Sequence, residues 1–304
     1  MLRIVNVMFI FQNVINGVTI GSIYALMALG YTLVYSASRL VNFAQGEGYM
    51  LGAFATLFAL VAVPEQSPAF VRAIASGVAA MVAAVLLGWA TERFVFRPLR
   101  NAPPFIPVMA SLGLAIAIEN TVLNLFGAGF NNVPALWPLT GIQMADVRMS
   151  YVQLVMLSVA VLLMVLLDRF LRSTLPGKAL RAVAQDPTAA RLMGISTEAA
   201  VALVFVVAAG LSGVSGYFVA LYYGSVNFYM GFQAGINGFA AAIFGGFGNV
   251  KGAIVGGILL GIFEAFGSSL VPAEWKGVIA YVLLLLVILI RPQGIFGEAL
   301  PERL

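Results

Sequence analysis

Asn42, Gln45 and Glu47 stand close together in the stretch VNFAQGEGYM, residues 41–50, with Gly46 and Gly48 on either side of the carboxylate. Two amides and a carboxylate can hydrogen-bond the amine, amide or carboxyl groups of a small polar solute. The same stretch has an echo. VNFAQG at 41–46 recurs as VNFYMG at 226–231, and Phe54-Ala55 matches Phe239-Ala240 at the same offset of 185 residues. The second copy adds Asn227 and Gln233 to the candidate polar set. Glu119, beside Asn120, and Glu264 are further carboxylates in apolar surroundings. Buried in lipid such groups are costly, and they usually face a bundle interior or a pathway. Each of these residues also has a plain structural use, capping a helix end or bonding a neighbouring helix. Cys and His are absent, which removes thiol catalysis, Cys/His zinc sites and Ser-His-Asp chemistry together. No catalytic residue and no metal site is assigned, and an enzyme is disfavoured.

The elements around these residues are apolar. Of 304 residues, 62% are hydrophobic and 9% charged, against roughly 25% charged in a soluble domain. With a mean hydropathy of +1.01, the chain is expected to be an all-α polytopic membrane protein. Spans of about 20 apolar residues are expected near 13–36, 43–63, 69–91, 105–127, 151–168, 199–223, 231–249, 252–271 and 275–291, for eight to ten in total. The glycine-rich segments 43–63 and 231–249 are expected to be broken or re-entrant.

The basic residues orient this bundle. Twelve of the 16 Lys and Arg fall in one alternate set of loops, including Arg39, Arg97, Arg100, Arg181, Arg191 and Lys251; Arg3, Arg72, Arg148 and Lys276 fall in the other. Positive charge favours the cytoplasm, so the richer set is read as inside. The pI near 9.5 then reflects loop orientation and not a nucleic-acid partner. In that topology the two VNF copies follow spans ending on opposite sides, as in an inverted repeat, whose sites lie near the midplane. Non-helical backbone at that depth is tolerated only beside protein or a water-filled cavity.

The cytoplasmic loop at 172–198 is unusually polar. Pro176-Gly177 reads as a turn, Lys178–Gln185 as a short helix, Asp186 as the N-cap of a second, and Gly194 as its end. Leu180, Val183 and Ala184 share one helical face. No phosphate-binding loop occurs, since PGKAL lacks the spacing and the hydroxyl; any ATP hydrolysis lies on another chain.

Six ordered blocks carry a family resemblance: NGVTIGSIYALMALGYTLVY, VNFAQGEGYMLGAF, TERFVFRPLR, GKALRAVAQDPTAARLMGIS, NFYMGFQAGINGFAAAIFGGFGNVKGAIVGGILLGIFEA and RPQGIFG. Nearly end to end, the chain resembles the permease subunit of branched-chain amino acid ATP-binding-cassette importers, the shorter of two unlike permeases. The resemblance implies one permease domain over 1–304 in the bacterial inner membrane, in contact with lipid. It implies a second permease, two cytoplasmic ATPases carrying ATP and Mg, and a periplasmic binding protein as partners. It makes 177–194 the element that docks on an ATPase, through Gly177, Lys178, Leu180, Arg181, Asp186, Arg191, Leu192 and Gly194. Asn42, Gln45, Glu47, Asn227 and Gln233 are the expected translocation path. Many relatives have His where this chain has Gln45, and Gln cannot titrate near neutral pH. The family extends to other amino acids, amides and urea. A stand-alone ion-coupled transporter using Glu47, Glu119 and Glu264 is the rival of a different class.

Overall fold

A computed structural model describes residues 2–137, 141–144, 147–269, 276–291 and 293–297. Its helices are α1 (Leu2–Ser38), α2 (Gln45–Ala62), α3 (Ala69–Thr91), α4 (Phe105–Phe126), α5 (Tyr151–Ser173), α6 (Leu175–Gln185), α7 (Pro187–Leu192), α8 (Thr197–Tyr223), α9 (Met230–Gly245), α10 (Val250–Gly267) and α11 (Lys276–Ile290). A π-helical turn, Glu92–Phe96, extends α3. The chain is thus all-α, and six helices (α1, α3, α4, α5, α8 and α10) are long and apolar enough to cross a membrane. The apolar helices α2, α9 and α11 are shorter or more polar at one end. The expected junction between the spans 252–271 and 275–291 lies outside the described residues.

Local chemistry sets several helix ends. Ser150 and Gln153 form a capping box at the start of α5, satisfying two of the backbone N–H groups that a helix start leaves unpaired. Asn249 caps α10 by accepting from the Gly252 N–H at 3.1 Å. Gly224 ends α8 at φ 65, a left-handed conformation that costs glycine nothing.

Close backbone contact holds the centre together. α1 and α10 run antiparallel, and side chains added at Gly257 or Gly261 would overlap Ala25 or Gly21 of α1. In lipid the hydrophobic effect does not draw helices together, so small residues that let backbones approach supply packing in its place. Of the six long apolar segments, Met8–Ser38 is the most enclosed, with 89% of its apolar window buried. α3, α4 and α5 expose most of their surface, as peripheral helices facing lipid or a partner would.

The two ends of the bundle sort as the charges predict. At one end Arg39 donates to the Ala184 carbonyl of α6 at 2.9 Å, and Arg97 pairs with Glu198 at 2.8 Å. The Gly248 turn meets Ser36 at this same end. At the other end Arg148 bonds Gln12, beside a hairpin of β2 (Gly141–Met144) and β3 (Val147–Ser150). Two more residue pairs, β1 (Asn131–Asn132) and β4 (Ser225–Val226), join the segments that follow α4 and α8. Nothing in the hydropathy pattern announces these short strands.

Candidate functional site

The echoed motif builds the same local structure twice. α1 ends at Ser38 and α8 at Tyr223; α2 starts at Gln45 and α9 at Met230, both pairs at the 185-residue offset. In the first copy Asn42 Oδ1 accepts from the Ala44 N–H at 3.1 Å, and in the second Asn227 Oδ1 accepts from Tyr229 at 3.1 Å. This Asx turn lets the asparagine satisfy the backbone just ahead of each helix. The equivalent glycines then meet: a Cβ on Gly46 would overlap the Gly231 carbonyl. Two helix starts, each the positive end of a helix dipole, therefore abut inside the bundle.

Their depth follows from α8. Gln45 Nε2 donates to the Ala208 carbonyl at 2.8 Å and to Ser212 Oγ. Ala208 lies about 16 Å along α8 from Thr197 at 1.5 Å per residue, roughly half the thickness of a bilayer's hydrocarbon core. The non-helical segment before α2 thus re-enters to mid-depth, covered by protein as such backbone must be. Phe43 donates its N–H to Ser111 Oγ of α4 at 3.1 Å. Glu47 is 1% exposed, and its Oε2 has no hydrogen-bond partner among the described residues.

Above this junction lies a cleft of about 280 Å³ between α1, α8, α9 and α10. Its walls include Tyr24, Tyr49, Asn227, Gln233, Asn237 and Glu264. Asn237 Nδ2 donates to Tyr24 Oη at 3.0 Å. Two of the five expected path residues, Asn227 and Gln233, line the cleft. Asn42, Gln45 and Glu47 lie beneath it, buried, the first two engaged as a turn and a strut. Tyr24, Tyr49 and Asn237 were not in the expected set. Glu264 carried a signal, as a carboxylate in an apolar span, but only the fold brings it to the same hollow.

At the opposite end, α6 and α7 form the expected helical pair. α6 starts one residue before Pro176, so Pro176-Gly177 is its first turn and not a separate turn, with Thr174 Oγ1 accepting from the Gly177 N–H at 3.1 Å. Proline is tolerated there because the first N–H groups have no helical partner. Gly177 packs on the α5 backbone, where a Cβ would overlap the Phe170 carbonyl. Asp186 caps α7, accepting from Thr188 at 2.8 Å and Ala189 at 3.0 Å. Gly194, at φ 80, closes it. Asp186→Ala is expected to loosen α7 by about 1 kcal/mol, read as faster amide exchange over 187–192 with α8 unchanged.

The residues expected to dock divide by exposure. Leu180 is buried with Val183 in the chain's own core, whereas Leu192 is 85% exposed. Lys178, Arg181, Asp186 and Arg191 are exposed around it. Met193, 81% exposed, and Leu175, 82% exposed, were not in the expected set and add to the apolar surface.

The family model for branched-chain amino acid transport system permease components matches residues 13–288. LivH of Escherichia coli K12, a high-affinity branched-chain amino acid transport system permease protein, is 36% identical over 302 residues, covering 97% of this chain and 98% of the relative. BraD of Pseudomonas aeruginosa, named for the same kind of system, is 37% identical over 298 residues, covering 96% and 97%. A probable branched-chain amino acid transport permease of Methanocaldococcus jannaschii is 28% identical, covering 94% and 92%. With a re-entrant, twice-built polar core and a match across nearly its whole length, the chain belongs to the family of branched-chain amino acid transport permeases.

Proposed function

We propose that this chain is one of two permease subunits of an ATP-driven importer for branched-chain or other hydrophobic amino acids in a bacterial inner membrane. It forms half of the translocation path and takes its energy from two cytoplasmic ATPases that carry ATP and Mg. A second permease faces it, and an extracytoplasmic binding protein delivers the solute. The path runs through the cleft lined by Asn227 and Gln233 and over the junction that holds Asn42, Gln45 and Glu47.

The observation that carries this reading is the cytoplasmic cap of 172–198. Leu192 and Met193 stand exposed among Lys178, Arg181 and Arg191, on a rigid pair of capped helices anchored through Arg39. Exposed apolar side chains rimmed by charge mark a protein-binding surface. A rigid cap transmits motion from an ATPase into α1 and α8, to which its own core side chains pack.

Gentle purification of the tagged chain from its native membrane, followed by mass spectrometry, tests it. Recovery of an ATPase pair and a second permease, both lost when 177–194 is scrambled, is the expected result. Arg181→Glu, which reverses one exposed charge on the cap, is expected to lower ATPase recovery at least fivefold in the same assay. Recovery of the folded chain alone, with solute uptake under an ion gradient and no ATP, overturns the reading in favour of a stand-alone transporter.

A further inference from the structure

Among the described residues Arg39 is the only one other than glycine with a positive φ, at 58°. It follows the last residue of α1 and closes that helix by donating its N–H to the Tyr35 carbonyl at 2.8 Å. In this left-handed position after a helix end glycine is the usual residue, because a Cβ is disfavoured there. The second half of the chain shows what the turn itself needs. At the 185-residue offset of the VNF echo stands Gly224, with φ 65° and its N–H on the Ala220 carbonyl at 3.0 Å. The two turns match in conformation and in hydrogen bond, yet one carries glycine and the other arginine. Turn geometry therefore does not account for the arginine. A bulky residue kept on such backbone points to a function of its side chain.

That side chain reaches the cap. Arg39 Nη2 donates to the Ala184 carbonyl at 2.9 Å. Ala184 is the second-last residue of α6, and the carbonyls of a helix's last turn lack helical partners and form the negative end of its dipole. The guanidinium thus ties the end of α6 to the foot of α1. From there six residues lead to Gln45 at the start of α2, and they are held along the way. Leu40 and Val41 pack on the main apolar core, Asn42 makes its Asx turn, Phe43 bonds Ser111 and Gln45 bonds α8. A displacement of α6 pulled through Arg39 reaches the mid-depth helix start with no slack segment to absorb it. Gly224 ends α8 at the opposite end of the bundle, away from the cap.

Resting on the importer reading above, we infer that Arg39 is the positioning residue that couples the cap to the re-entrant segment, passing ATP-driven movement of α6 to the paired starts of α2 and α9. The cap keeps its place without it, because Leu180 and Val183 are buried in the chain's own core.

The test uses the importer assembled with its binding protein in liposomes, with leucine uptake counted per ATP hydrolysed. Arg39→Gly, which suits this backbone, is expected to leave ATPase recovery within twofold and the thermal midpoint no lower, while uptake per ATP falls at least fivefold. Arg39→Asn, which also tolerates the left-handed turn, is expected to behave alike. Arg39→Lys keeps a cationic donor and is expected to stay within twofold of the parent. Full uptake per ATP in the Gly and Asn variants overturns the assignment, as does a Lys variant as defective as the Gly variant. A Gly variant that fails to fold or loses its ATPases also overturns it, since Arg39 would then serve stability or docking. A parent complex that takes up no amino acid, or a folded parent chain recovered without ATPases, sinks the importer reading itself.

Discussion

Gly46→Leu is expected to abolish transport and to prevent the chain from reaching its folded form. Gly46 is where α2 and α9 start against one another, and any Cβ there would overlap the Gly231 carbonyl and crowd Gly235. Neither neighbour is a flexible side chain that can turn aside, so one helix start must move. Overpacking a core costs about 1–3 kcal/mol where side chains can repack, and here only backbone is available. The displaced helix also takes Glu47, in the same turn as Gly46, away from its buried position. The check is size-exclusion profile and thermal stability in detergent beside solute uptake. Gly48→Ala is the control, because the atoms nearest a Cβ at that position lie at 3.5 and 3.8 Å, an ordinary contact. A folded, transporting Gly46→Leu protein sinks the account of the paired helix starts.

The second large effect is at the helical cap of 172–198. Replacing both Leu192 and Met193 with Asp is expected to leave the chain folded, since the two side chains are 85% and 81% exposed. Burying one such side chain is worth about 1.5–3 kcal/mol. Losing both on docking amounts to at least about 3 kcal/mol, which is more than a hundredfold in affinity at 1.4 kcal/mol per factor of ten. Solute uptake and ATPase recovery should therefore fall together to below about a hundredth. Leu180→Ala should act differently. Leu180 is 5% exposed, inside the chain, so its loss of about 2–5 kcal/mol appears as lower thermal stability. Docking surviving the double Asp change would place the ATPase contact elsewhere.

Those two leucines mark where sequence reasoning stops. The alternation of apolar and charged residues placed two spans within a residue, 69–91 against α3 at Ala69–Thr91 and 105–127 against α4 at Phe105–Phe126, whereas α1 begins at Leu2, well before the expected 13. Hydropathy reports that directly, because lipid demands long apolar helices. Caps were equally local, and Asp186 does what its neighbours Pro187 and Thr188 suggest. Leu180 and Leu192 both sit in the same polar segment, however, and only the packing of α6 against the bundle turns one inward and leaves the other out. The cleft was illegible for a related reason. Tyr24 and Asn237 are 213 residues apart in the chain, and no local pattern ties either to Glu264. The VNF echo, by contrast, was a sequence feature with geometric content, since it marked the same Asx turn in both copies.

The enclosure of α1 has a consequence during synthesis. Its small-residue stripe, Gly17, Gly21 and Ala25, is complementary to Gly257 and Gly261 of α10. At about 5–20 residues per second, the ribosome delivers that partner on the order of 10–50 s after α1 has entered the membrane. Through this interval the helix destined for the centre stands in lipid with its contact face open. α2, α5 and α8, which also pack on α1, arrive earlier and offer native shelter in that order. Assembly of this permease is therefore governed by how α1 is held until the last third of the chain is made, and cells short of whatever performs that holding should lose it sooner than proteins whose first helix packs on its second.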